Sequence, residues 1–179
     1  MIYYISDTHL GHKNIIRLCS RPFKSVGEMD ETIVSNWNTK LSDNDHVYVV
    51  GDFSFKGSDP PQQYLKRLRG HKHLIIGNHD RKLINNKEAM AYFESVDDLL
   101  TINDSGKQVV LCHYPLAEWD CYYRNAYHVF GHIHNNKNSA YEFTKQTGRA
   151  FNAGVEINNY APVTFDELVQ NNRDFWEKI

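Results

Sequence analysis

The sequence predicts an α/β fold built on a mixed β-sheet, and three observations carry that expectation. Five short apolar runs, Ile2–Ile5, Val47–Val50, Leu74–Ile76, Val109–Cys112 and Tyr127–Phe130, are rich in β-branched and aromatic residues, as buried strands are. Segments with helical spacing of apolar residues lie between several of these runs, which is how parallel strands are connected. Asn103-Asp104-Ser105-Gly106-Lys107 separates two strand-like stretches, Val96–Ile102 and Gln108–Cys112, as a hairpin signal. An antiparallel pair therefore adjoins a crossover-connected set, and the sheet is mixed rather than purely parallel.

In chain order, Met1–Ile5 is a strand and Ser6–Gly11 the loop that leaves it. Asn14–Cys19 has the content of one or two helical turns, ended by Pro22. Ser25-Val26-Gly27-Glu28 reads as a capping box opening a helix whose apolar positions are Met29, Ile33, Val34, Trp37 and Leu41. A loop from Phe53 to Pro60 carries the breakers Gly57, Ser58, Asp59 and Pro60, and a helix with Tyr64, Leu65 and Leu68 follows, closed by Gly70. Leu83 to Phe93 is expected to be helical. Tyr114–Ala126 is an aromatic-rich connection with a helical segment. Tyr141–Phe143 and Arg149–Ala153 are candidates to pair across Thr147-Gly148. Thr164-Phe165-Asp166-Glu167 is a second capping box, starting a terminal helix through Leu168, Val169 and Trp176.

Composition narrows the class. At 179 residues, with 41% hydrophobic and 23% charged residues, the chain fits one soluble domain with a real core. A net charge of −2 gives no global pull toward nucleic acid or anionic membrane, and no run reaches the roughly 18 apolar residues of a membrane span. The three cysteines, Cys19, Cys112 and Cys121, form no CxxC pair and no secretion signal precedes the first strand, so a reducing, cytoplasmic setting is expected.

Ten histidines are many for such a chain, and their placement carries more than their number. His9, His79, His113, His132 and His134 sit just past apolar runs, together with Asp7, Asp52, Asn78 and Asp80; His12, His46, His71, His73 and His128 do not share that placement as clearly. Ligands of α/β sheets bind outside the carboxyl ends of the strands, so these ends are expected to converge. Carboxylate, imidazole and amide oxygen together suit Mn²⁺ foremost, and Fe, Zn²⁺ or Ni²⁺; they do not suit an all-oxygen Ca²⁺ cage or a thiolate zinc site. Asp7, His9, Asp52, Asn78, His113, His132 and His134 are too many for one ion that also holds water, and enough for two ions sharing Asp52. Taken singly, each is an ordinary turn or surface residue; only a common centre explains them together.

The ordered set Asp7-x-His9, Gly51-Asp52, Gly77-Asn78-His79-Asp80, His113 and Gly131-His132-x-His134 resembles the calcineurin-like metallophosphoesterases, and Asn152-Ala-Gly-Val155 resembles the strand that follows their last motif. The resemblance implies a four-layer α/β/β/α sandwich of two mixed β-sheets, one domain over 1–179, with a dinuclear site at the strands' carboxyl edge. It implies one ion on Asp7, His9, Asp52 and His134, and a second on Asp52, Asn78, His113 and His132. His79 would protonate the leaving oxygen, Asp80 would hold its imidazole, and a metal-bridging hydroxide would attack phosphorus. His12 and Arg81 are further candidates for contacting substrate phosphate. In the loop Phe53-Ser54-Phe55 both rings are expected to be buried anchors, and Trp119, Tyr122, Tyr123 and Arg124 are expected to pack beneath a loop more than to stack on a nucleobase.

The expected activity is hydrolysis of phosphomonoesters or phosphodiesters, nucleotides among them, with a lean to the diester. No feature dedicated to duplex nucleic acid is seen. The rival reading is a non-catalytic scaffold of the same fold that binds a protein partner; it would be expected to have lost ligands, and none is missing.

Overall fold

The computed structural model describes residues 1–55 and 59–178. Strands β1 (Ile2–Ile5), β2 (His46–Val49), β3 (His71–Ile75) and β4 (Phe93–Asp97) form one sheet in that order, all parallel. Strands β5 (Leu99–Asp104), β6 (Lys107–Cys112), β7 (Tyr127–Phe130) and β8 (Ala150–Asn152) form the other, with β5 antiparallel to β6 and the rest parallel. Helices α1 (Lys13–Leu18), α2 (Val26–Lys40), α3 (Pro61–Leu65), α4 (Arg81–Ile84) and α5 (Lys87–Met90) belong to the first half of the chain, α6 (Ser139–Thr147) and α7 (Phe165–Glu177) to the second.

Side-chain alternation along the strands builds the layers. One face of the first sheet (Tyr3, Ile5, Val47, Val49, Leu74) packs on Met29, Ile33, Val34 and Trp37 of α2. Each fully buried apolar side chain there contributes about 1.5–3 kcal/mol. The opposite face (Tyr4, Tyr48, Val50, Ile75) meets Val109, Leu111, Val129 and Phe151 of the second sheet, with Phe165 and Leu168 of α7 joining them. The outer face of the second sheet (Val110, Phe130, Ala150) is covered by Trp119, Ile133 and Tyr141 of α6. The expected α/β/β/α sandwich is present, its mixed character lying in the second sheet and in an antiparallel bridge between Tyr4 and Val163 at the edge of the first.

That edge joins the sheets. Ser6 N–H donates to Ala153 O at 2.9 Å and Val155 N–H to Ser6 O at 3.1 Å, so the end of β1 lies against the segment leaving β8. The loops of the two sheets are thereby brought to one place.

Three expectations need correction. The stretch Val96–Ile102 is two strands: β4 stays in the first sheet, and the chain crosses at Asp98 to begin β5 in the second. Leu83–Phe93 is two short helices, restarted at Asn86, whose side chain accepts from Glu88 and Ala89 N–H; Phe93 already belongs to β4. Tyr141–Phe143 is helical, not a strand. Asn138 caps α6 by accepting from Tyr141 N–H, and Gly148 ends it in the left-handed region at φ 64°. Beyond β8, buried Asn158 donates to Asn152 O and Gly154 O, while Asn172 of α7 donates to Asn152 O and accepts from its N–H.

Both capping sites hold. Ser25 accepts from Glu28 N–H, although Glu28 reaches back to Lys24 rather than to Ser25, and Thr164–Glu167 forms the full reciprocal box. The breakers Gly57 and Ser58 lie outside the described residues.

Candidate metal centre

Asp7, His9, Asp52, Asn78, His113, His132 and His134 come together where the two sheets' carboxyl edges meet. Asp52 Oδ2 lies 3.5 Å from His9 Nε2 and 3.6 Å from His113 Nε2. Asn78 Oδ1 is 3.1 Å from His113 Nε2 and 3.0 Å from His132 Nδ1. His134 Nε2 is 3.8 Å from Asp7 Oδ1, and the rings of His9 and His134 stack at 5.2 Å. Asp7, His9 and His134 form one group whose ligand atoms all lie within 4.8 Å of each other; Asp7, Asp52 and His113 form another.

The backbone is unusual where these residues sit. Asp7, His9, Asp52, His132 and His134 all have φ between 48° and 69°, a region that costs side-chain-bearing residues about 1–3 kcal/mol each. Neighbouring structure holds them there. Asp7 N–H donates to Gly51 O and His9 N–H to Asp52 O, both at 3.0 Å. Buried Arg21 donates to Asp7 O at 2.7 Å and to Thr8 O at 2.9 Å.

Two glycines permit the approach. A Cβ on Gly77 would lie 2.3 Å from Asp52 Oδ1, and one on Gly131 would lie 1.9 Å from Ser6 Oγ and 2.5 Å from Asp7 Oδ2. No side chain fits at either position.

The donor chemistry fits a cation. Both ring nitrogens of His9 are buried with no hydrogen-bond partner, a costly state for an imidazole with nothing to coordinate. Burial pushes the Asp7 carboxyl up and the His9 imidazole down, so His9 is held as the neutral ligand. A divalent ion bound there would favour the charged form of Asp7 and take the place of the proton on His134. His113 Nδ1 lies 2.9 Å from Val50 O, which holds the proton on that nitrogen and leaves Nε2 as the donor atom facing Asp52. His134 Nδ1 lies 2.9 Å from Glu156 Oε1 and its Nε2 faces Asp7. Burial opposes a proton on His134, but hydrogen bonds with Cys19 and Glu156 and the charges of Asp7 and Glu156 push its pKa up to about 11.

Arg21 and Glu156 were not singled out in the sequence. They form a buried ion pair at 2.7 Å that ties Asp7, Thr8 and His134 together from behind. Their separation of 135 residues leaves no local signal.

Asp80 departs from expectation. Its carboxylate is not on the His79 ring; Oδ2 accepts from Gly77 and Asp52 N–H at 2.9 and 2.8 Å, and Oδ1 accepts from Phe53 N–H at 3.0 Å. It clips the turn after β2 to the turn after β3. Burial raises its pKa to about 6, against these backbone bonds. His79 is exposed; its backbone N–H donates to Asp52 Oδ1 at 2.8 Å, and its ring lies 5.4 Å from that of His9.

Phe53 is a buried anchor as expected, but Phe55 is not. It stacks on His12 at 3.8 Å and meets His79 edge-on at 5.4 Å, which places His12 beside the centre. A cleft of about 510 Å³ opens next to His79, walled by Ser54, Phe55, Pro60, Asn78, Arg81 and Leu83. Trp119 is buried on the outer face of the second sheet and Tyr122 packs against it; Tyr123 is 82% exposed and bonds to Glu118. From the connection between β6 and β7, Tyr114 reaches the centre, its ring 4.8 Å from that of His132.

A family model described as the calcineurin-like phosphoesterase superfamily domain matches residues 1–156. The chain belongs to this superfamily. An uncharacterized protein of Methanocaldococcus jannaschii is 33% identical over 171 residues, 94% of this chain and 89% of its own. The gene 66 protein of Mycobacterium phage L5 is 31% identical over 130 residues, covering 63% of this chain and 62% of its own. The crystal structure of a protein of unknown function from Aquifex aeolicus superposes with a TM-score of 0.75 at 31% identity, covering 95% of this chain and 98% of that one. The Pseudomonas putida nuclease MPE shares the fold at a TM-score of 0.50 and 15% identity, over 74% of this chain and 60% of its own. Membership of this superfamily makes the chain a metal-dependent phosphoesterase, with phosphate esters as its substrates. Among the described residues, no helix is long and apolar enough to cross a membrane.

Proposed function

We propose that this calcineurin-like phosphoesterase domain hydrolyses phosphodiesters at a two-metal centre, with Mn²⁺ as the ion that best suits its mixed oxygen and nitrogen donors. The observation that carries the reading is His9, buried between Asp52 and His134 with neither ring nitrogen hydrogen-bonded. Asp7, His9, Asp52 and His134 would hold one ion; Asp52, Asn78, His113 and His132 would hold the other. When bound, such a pair neutralises charge on phosphoryl oxygens and lowers the pKa of water toward neutrality.

The chain's own residues do the rest. Gly77 and Asp80 position Asp52, and Glu156 orients His134. His79 protonates the departing oxygen from the solvent side of the centre. Arg81 lines the cleft beside His79 and the His12 ring lies beside that of His9, so both would contact the phosphate. The lean to diesters is supported by the cleft beside His79, whose Phe55 wall gives the second ester group an apolar surface. Three free cysteines agree with a cytoplasmic setting.

The test is hydrolysis of bis(p-nitrophenyl) phosphate against p-nitrophenyl phosphate by Mn²⁺-loaded protein. Diester turnover that EDTA abolishes and Mn²⁺ restores is expected. The His79→Ala variant should keep its metal content and lose about 10²–10⁴-fold in kcat. Unchanged turnover in that variant would remove the acid assignment. No turnover above background by the metal-loaded protein would favour a scaffold that binds a protein partner.

A further inference from the structure

At the opposite end of the same strands lies a second group of metal-capable side chains. β2 and β3 pair His46 with His71 and Tyr48 with His73, so alternation puts all four on one face. The register between β3 and β4 slips between Lys72 and His73, and Glu94 is the extra residue that the slip inserts. His46 Nδ1 lies 3.0 Å from His73 Nε2, and Glu94 Oε2 lies 3.8 Å from that same Nε2. Each of His46, His73 and Glu94 offers one ligand atom such that the three fall within 4.8 Å of one another.

Support around the group is arranged as it is around metal ligands. Ser95 Oγ is 3.0 Å from His73 Nδ1, and accepting its proton leaves a lone pair on Nε2. Tyr48 stacks on the His73 ring at 4.6 Å, and the His46 ring stacks on it at 5.3 Å, so both rings are fixed in orientation. His71 pairs with the other oxygen of Glu94 and aims that carboxylate. Two nitrogens held at about 2.0–2.1 Å from a tetrahedral Zn²⁺ are roughly 3.3 Å apart, close to the spacing seen here. With its proton on Nδ1, His73 Nε2 accepts the His46 Nδ1 proton while facing the Glu94 carboxylate, and a cation bound in place of that proton satisfies all three groups.

We propose that His46, His73 and Glu94 form a separate binding site for a borderline divalent ion such as Zn²⁺, tying β2, β3 and β4 together. Two imidazoles and a carboxylate favour Zn²⁺, Ni²⁺ or Cu²⁺ over Mg²⁺ or Ca²⁺. The strand length puts this site roughly 15–20 Å from Asp52.

Elemental analysis of the whole protein after dialysis against Zn²⁺ tests the site. The wild type should hold one more ion per chain than His73→Ala, and Glu94→Gln should bind that ion at least about tenfold more weakly, since losing an outer-shell partner alone costs 10–100-fold. Circular dichroism confirms that both variants fold, and diester hydrolysis should be unchanged in them. Because the reading is a difference between proteins with the same carboxyl-edge centre, it stands whatever that centre holds. Equal zinc content in the wild type and both variants would overturn the proposal.

Discussion

Asp80 shows how a motif residue can serve by geometry alone. Its two oxygens accept three backbone N–H bonds from Gly77, Asp52 and Phe53, so the carboxylate fixes where the Asp52 side chain stands. In Asp80→Asn, either orientation of the amide turns an NH₂ group against a backbone N–H. Mn²⁺ affinity should fall by about tenfold or more, as for other supporting groups, and isothermal titration would show it. Unchanged affinity would contradict this role. His128 gives a residue-scale expectation for stability. It is buried away from the centre, facing Val110 O at 2.9 Å and Tyr114 O at 3.2 Å, and burial lowers its pKa to about 4 against those bonds. Above about pH 6.5 both folded and unfolded chains hold it neutral and its contribution is complete. As pH falls toward 4, the unfolded chain takes the proton first, and about 3 kcal/mol is lost. Denaturant unfolding of EDTA-treated protein at pH 7 and pH 4.5 should therefore show a smaller pH-dependent loss for His128→Gln than for the wild type; equal losses would count against it. The ligands were legible because each follows an apolar run directly. The roles of Asp80, Arg21 and Glu156 were not, because their partners are set by tertiary contacts.

Between elements, the glycines decide how closely the loops approach. The same substitution should have opposite effects at two sites. Gly27→Ala adds a Cβ within α2 with nothing inside 4 Å, and should stabilise by about 0.5–1 kcal/mol. Gly131→Ala drives a Cβ to 1.9 Å from Ser6 Oγ and should destabilise by about 1–3 kcal/mol while weakening metal binding. Thermal melts of the two variants with and without Mn²⁺ check both signs; a stabilised Gly131 variant would refute the close approach. Element boundaries were legible where chemistry punctuates the chain, as at Ser25 and Thr164. They were obscured at Val96–Ile102, where β-forming residues run through the change of sheet. They were obscured again at Tyr141–Phe143, where a short apolar run suits either period and the cap at Asn138 decides.

Across the whole molecule, the sandwich exists to bring turns from both sheets to one edge. Ser6 and Ala153–Val155 stitch that edge, and Arg21–Glu156 braces it from within. The architecture and the superfamily were legible because ordered motifs span most of the chain, and the model match covers residues 1–156. The histidine group on β2 and β3 was not, since its members follow no strand end and meet only through strand pairing. The central claim is that the carboxyl edge cages two cations around Asp52. Anomalous diffraction from crystals soaked in Mn²⁺ tests it most directly. Two peaks roughly 3.5–4 Å apart, one among Asp7, His9 and His134 and one among Asn78, His113 and His132, are expected. A single peak there, or none, would contradict the account.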